Sequence, residues 1–404
     1  MNEQFTQKDI ITALLMSFKV TFCDFEEVNG STVTLYKFRP KIGCKVSKIR
    51  SLKDELASAL RVSSVRIIAP MEDGCVGIEV PNRKREILYA GDIFNSQEYR
   101  QTNMALPVAI GRTVTNELFM ADLTEMPHLL VAGATGQGKS VGLNVMLMSL
   151  LQKKSPDEMK LVLIDPKKVE LSAYEKIARP YIMRLDGYPS IVTEASHATT
   201  ILDALCRLMD KRYSILEEAR VRNIQEYNAT HTDKMQYHVI VIDEYGDLVM
   251  DRQYGRSIEY SICRLAQKAR AVGMHLIIST QRPSATIVTG NIKANFPTRI
   301  AFRTTTGTDS RVVIDQNGAE KLTGKGDMIY FSGASVTRVQ CAYIGTEEVD
   351  RLCTMIGDRY RDCKPKVLRV IQGKEDDFSD FFSRVMCKHG NPFFYGVSDA
   401  YCHS

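Results

Sequence analysis

No run of roughly 18 or more apolar residues occurs in the sequence, so a membrane-spanning helix is not expected. The first residues, MNEQFTQKDI, lack the basic-then-apolar order of an export signal. The expected location is therefore cytoplasmic, with no membrane segment. None of the ten cysteines forms a CxxC pair, and a chain of 404 residues needs no covalent staples, which favours reduced thiols. Cys387, His389, Cys402 and His403 are zinc-ligand types, but their spacing fits no zinc pattern, so no zinc is expected there. Charge of one sign is also scarce: 53 basic against 48 acidic residues leave +5, too little for the global balance to announce a polyanionic partner. There is no fixed-period repeat and no low-complexity linker.

With 44% hydrophobic residues, the chain can bury a core larger than one small domain needs. Residues 1–105 contain the strand-like pieces TVTLYKF, SVRIIAP and CVGIEVP around SLKDELASAL, in which Leu52, Leu56 and Leu60 repeat at helical spacing. This predicts a small α+β domain. Residues 106–370 hold four apolar runs of strand length, HLLVAG, KLVLID, HVIVID and HLIIST, separated by helical stretches. Runs without alternation suit strands buried on both faces, so an α/β domain with a mostly parallel sheet is expected. Residues 371–404 form a polar and aromatic tail with no assigned role.

Between the first of these runs and a helical pattern lies GATGQGKS, which fits the phosphate-loop pattern G-x-x-x-x-G-K-[ST]. Its residues Gly133, Ala134, Thr135, Gly136, Gln137, Gly138, Lys139 and Ser140, followed by Val141, are the expected nucleotide cradle. Backbone N–H groups at the positive end of a helix would surround the phosphates, Lys139 would reach the outer two, and Ser140 would offer a hydroxyl to Mg2+. HVIVIDEYGDL delivers Asp243 to a strand end as a second Mg2+ ligand, with Glu244 beside it to orient water. HLIIST ends next to Gln281, where a γ-phosphate sensor or a plain hydrogen-bonding role is equally consistent. Asp165 and Lys167 end another strand, where a place near the nucleotide and a turn-forming role both fit, the turn being favoured.

Between Arg264 and Arg311 there are eight basic residues and one acidic residue, Asp309. From Lys37 to Lys53 there are seven basic residues and no acid. Aromatics are few in both segments, Phe38 in one and Phe296 and Phe302 in the other, which favours tracking a duplex backbone over stacking on unpaired bases.

Taken in order, MPHLLVAGATGQGKSVGLNVMLMSLL, LVLIDPKKVEL, VIVIDEYGDLVM, RLAQKARAVGMHLIISTQRPSATIVTGNIKANFPTRIAF and DSRVVIDQNGAEKLTGKGDMIY resemble the motor of the FtsK/SpoIIIE family of double-stranded DNA translocases. GCKVSKIRSLKDELASALRVSSVRIIAP and GIEVPNRKRE resemble that family's small α domain. The resemblance implies a RecA-like P-loop NTPase core, ATP as the nucleotide, a homo-hexameric ring around double-stranded DNA, and sites shared between subunits. It also implies Arg270 as an arginine finger, and Arg282, Lys293 and Arg311 as contacts to DNA phosphates. EYGDL stands where the family has EFADL, and a lysine that the family carries before DSR is missing. No membrane helices, long linker or winged-helix domain are expected in this chain, so anchoring and directional loading are not expected of it. Two other functions fit a ring ATPase: movement of protein substrates in secretion, and an ATP-switched DNA-binding scaffold.

Overall fold

The computed structural model describes residues 6–368, apart from Ser63, Glu72 and Ala334. The expected tail, with its Cys and His residues, lies outside the described residues.

The first domain is built on a four-stranded antiparallel sheet, in the order Phe22–Asn29, Val33–Pro40, Val76–Pro81, Arg66–Ile68. Leu52, Leu56 and Leu60 turn inward as their spacing predicts and pack with Phe38, Ile78 and Val80. The structure adds a helix, Gln7–Ser17, that the sequence reading did not identify. Its start is fixed by a capping box in which the Thr6 hydroxyl accepts from the Asp9 N–H while the Asp9 carboxylate accepts from the Thr6 N–H.

The second domain holds a ten-stranded sheet. Six neighbouring strands run parallel in the order Ile191–Val192, Met159–Ile164, Tyr237–Ile242, Met274–Thr280, His128–Ala132 and Thr298–Phe302. Four of these are the apolar runs of the sequence, and nearly all their side chains are buried. The helices Lys139–Lys153, Ala195–Glu218 and Gly255–Lys268 lie between these strands in sequence and pack into the same core. Asp327–Ser332, Ser335–Cys341, Pro107–Thr113 and Leu118–Asp122 extend the sheet antiparallel. The result is the expected α/β nucleotide-binding core beside a small α+β domain.

Helices Ala90–Asn95 and Gln97–Gln101 pack into the second core through Ile93 and Tyr99. Residues 82–89 therefore link the two sheets. Two hydrogen bonds pin this linker: the Tyr343 N–H donates to the Leu88 carbonyl at 2.7 Å and the Ala90 N–H to the Tyr343 carbonyl at 2.9 Å. A buried bridge adds to them, in which the Arg338 guanidinium pairs with Glu79 of the first domain and, at 2.6 Å, with Asp327 of the second. Its two carboxylates hold the guanidinium charged against the cost of burial.

Candidate functional site

The phosphate loop leaves its strand where no side chain fits. A Cβ on Gly133 would lie 2.6 Å from the Phe302 Cβ, and Gly138, at φ 111°, would bring one within 2.7 Å of the Gly326 backbone N. The helix Lys139–Lys153 starts directly after Gly138, so its free N–H groups face the loop's hollow.

The charged groups converge at the carboxyl edge of the parallel strands. Lys139 is buried, its Nζ 2.5 Å from Asp243 Oδ1 and 3.0 Å from the Ser279 hydroxyl. Ser279 also donates to the same Oδ1 at 2.5 Å. The other oxygen, Asp243 Oδ2, is buried without a hydrogen-bond partner. Ser140 donates to Glu170 Oε1 at 2.6 Å. A hydroxyl, an unpartnered carboxylate oxygen and a second carboxylate are hard oxygen donors, the set that suits a magnesium ion beside phosphates.

Glu244 follows Asp243 in the left-handed backbone region, at φ 50°, and is 1% exposed. Its Oε1 accepts from the Thr280 hydroxyl at 2.9 Å and from the Gln281 N–H at 3.1 Å; its Oε2 accepts from Lys167 Nζ at 3.1 Å. Burial opposes the Lys167 charge, yet the hydrogen bond to Glu244 prevails and raises its pKa above the ordinary lysine value. Gln281 Oε1 accepts from Thr135 of the phosphate loop at 2.9 Å. Asp165 is a turn former: its carboxylate accepts from the N–H groups of Lys167, Lys168, Val169 and Leu171.

Beside the loop lies a cavity of about 420 Å3, walled by Ile87 and Leu88 of the linker and by Val141, Cys341 and Tyr343. Ile87 and Tyr343 are 61% and 48% exposed, apolar surface that suits a flat base.

The basic candidates are spread out. Arg282 is exposed one residue beyond Gln281, at the nucleotide edge. Arg311 is exposed on the helix Gly307–Ile314, donating to Asn317 at 2.9 Å and Thr308 at 3.1 Å. Lys293 is ion-paired with Asp315, which also holds Arg299 at the far end of the neighbouring strand. Arg299 is buried and braces backbone carbonyls, and Arg264 is paired with Asp210 at 2.7 Å. In the first domain, Lys37 is paired with Asp73 at 2.6 Å. Arg270 is exposed just before the strand Met274–Thr280, at the edge opposite the phosphate loop. Seven strand residues separate those edges, roughly 20 Å, too far to reach this chain's own cleft.

Glu170 and the linker wall were not identified as site residues from sequence, and Lys167, favoured there as a turn former, is a partner of Glu244. Each reaches the cleft by a tertiary contact that carries no spacing signal.

Residues 91–285 match the FtsK/SpoIIIE family and residues 1–82 match the FtsK alpha domain. A DNA translocase FtsK of Chlorobaculum tepidum is 43% identical over 360 residues, 87% of this chain and 44% of that protein. The chain belongs to the FtsK/SpoIIIE family. A second FtsK, from Clostridium tetani, is 42% identical over 87% of this chain and 47% of its own length. The chain thus spans about half the length of the curated FtsK relatives it matches. The solved structure of the pCW3 conjugation coupling protein TcpA, a monomer form with ATPγS, superposes with a TM-score of 0.61 at 25% identity, covering 88% of this chain and 99% of that one. The secretion ATPase EccC of Thermomonospora curvata, at 20% identity and a TM-score of 0.56, shares the fold. Family and fold together make the FtsK-like chain a P-loop ATPase. Among the described residues, no helix is long and apolar enough to cross a membrane.

Proposed function

We propose that this chain is the motor of an ATP-driven translocase of double-stranded DNA, working as a homo-hexameric ring. The observation that carries the reading is the continuity of one strand end: Thr280 and Gln281 touch the buried Glu244, and the next residue, Arg282, faces solvent. Hydrolytic and DNA-facing groups are thus neighbours on one peptide.

In this reading Gly133 to Val141 cradle the phosphates, and Lys139 leaves Asp243 to neutralise their outer oxygens. Ser140 and Asp243 would hold Mg2+, which when bound adds positive charge across the phosphate oxygens. Glu244 orients the attacking water, and Gln281 links that carboxylate to the phosphate loop through Thr135. Arg270, placed away from its own cleft, serves the cleft of a neighbouring subunit. Arg282 and Arg311 meet DNA phosphates from exposed positions, and Lys293 joins them after exchanging Asp315 for a phosphate. Phosphate contacts suit a machine that must step along any sequence.

The test is the steady-state ATPase rate with and without duplex DNA of arbitrary sequence. Strong stimulation is expected. A rate indifferent to DNA would favour the motor of protein substrates, and negligible turnover in both conditions would favour the scaffold.

A further inference from the structure

We infer that Thr280 and Lys167 are positioning residues that hold Glu244 away from productive water orientation, and that movement of Arg282 releases it. The inference rests on the proposed translocase reading and deepens it by naming how DNA would regulate hydrolysis.

A carboxylate has about four lone-pair positions. Three donors already occupy those of Glu244: the Thr280 hydroxyl at 2.9 Å, the Gln281 N–H at 3.1 Å and the Lys167 ammonium at 3.1 Å. The Gln281 N–H also lies 3.3 Å from the second oxygen. A buried carboxylate held on both oxygens has little capacity left to turn toward a water. Hydrogen bonds to a charged group are also among the stronger ones, so the hold is firm.

The same contacts run outward to the DNA-facing residue. The backbone N–H of Arg282 donates to the Thr280 hydroxyl oxygen at 3.1 Å, and that hydroxyl spends its single proton on Glu244. Arg282 N–H, Thr280 O–H and Glu244 carboxylate therefore form one relay with a fixed direction of donation. A pull on the Arg282 side chain shifts its own backbone and removes the donor that orients the hydroxyl. Beyond Arg282, Pro283 is buried while Ser284, Ala285 and Thr286 are exposed, so the arginine leads into a segment open to a ligand. On the other side, Lys167 stands on the loop pinned by Asp165, and Glu170 of that loop holds Ser140. The loop thus touches both the hydroxyl meant for the metal and the glutamate meant for the water.

The variants are Thr280→Val, which removes the hydroxyl and keeps the branched shape, Lys167→Met, which removes the charge, and Thr280→Ser, which keeps the hydroxyl. ATP hydrolysis is measured with and without random-sequence duplex, alongside ATP binding. In Thr280→Val the DNA-free rate should rise about fivefold, the rate equivalent of one net hydrogen bond, while the DNA-saturated rate stays near wild type. The stimulation ratio then shrinks. Lys167→Met should do the same, and Thr280→Ser should retain the wild-type ratio. If Thr280→Val loses ATP binding, Lys167→Met decides. A DNA-free rate at or below wild type in variants that still bind ATP overturns the inference. Absence of DNA stimulation in the wild type would instead overturn the translocase reading itself.

Discussion

At the scale of single residues, the site divides into groups that bind and groups that act. Lys139, paired with Asp243, is the group proposed to supply charge to phosphates, whereas Glu244 is held by neighbours on its own chain. Lys139→Ala should therefore abolish ATP binding, and Glu244→Gln should leave binding near wild type while turnover falls by at least about a hundredfold. Equilibrium titration with a fluorescent nucleotide and a steady-state rate separate the two; equal loss of binding in both would contradict the roles. These two residues are legible in the sequence because each sits at a fixed distance from an apolar run that can only be a buried strand. Glu170 is not, since a lone acid in a loop has no pattern, and only the folded loop sets it 2.6 Å from Ser140. Nor is the pairing of Lys293, because its acid, Asp315, lies 22 residues downstream.

At the scale of elements, the four parallel strands were legible for the same reason: burial on both faces leaves no alternation to misread. Their antiparallel continuation was harder to see, because SVTRVQC mixes polar and apolar residues and LFMAD is only five residues long. Three adjacent parallel strands also share a feature at their amino ends, the buried histidines His128, His238 and His275. His128 Nδ1 accepts from the Leu276 N–H, His275 Nδ1 donates to the Pro127 carbonyl, and His238 Nε2 accepts from Arg212. Burial, with the neighbouring His275, pushes His128 down to about 3; burial pushes His275 to about 4 and His238 in the same direction. All three are neutral in the folded protein at neutral pH, and once unfolded each gains a proton near pH 6.5. The unfolded state therefore binds more protons as pH falls from 6.5 toward 4, and stability drops across that window by up to roughly 1.4 kcal/mol per pH unit for each imidazole. Denaturant unfolding at pH 7, 6 and 5 should show the decline. His275→Asn, which keeps a donor for Pro127, should reduce its slope by about one proton; an unchanged slope would show that His275 is not neutral in the fold.

At the scale of the whole molecule, the decisive fact is that Arg270 and the phosphate loop occupy opposite edges of one sheet. A ring in which each subunit lends Arg270 to its neighbour has a simple signature. Arg270→Ala and Lys139→Ala subunits, each inactive alone, should regain part of the ATPase rate when mixed, because some interfaces then pair an intact loop with an intact arginine. No recovery at any ratio, in assemblies shown to be hexamers, would count against a shared site. The buried bridge of Glu79, Arg338 and Asp327 adds a mechanical consequence. A motor that pulls on a stiff polymer experiences an equal reaction, and that load must leave the catalytic sheet through something that does not yield. Arg338 sits on a sheet strand of the second domain and Glu79 on a sheet strand of the small domain, so in the proposed motor the load path would run from strand to strand through this bridge. In the proposed motor the small domain would then be a strut: whatever it abuts in a ring would bear the recoil of each stroke.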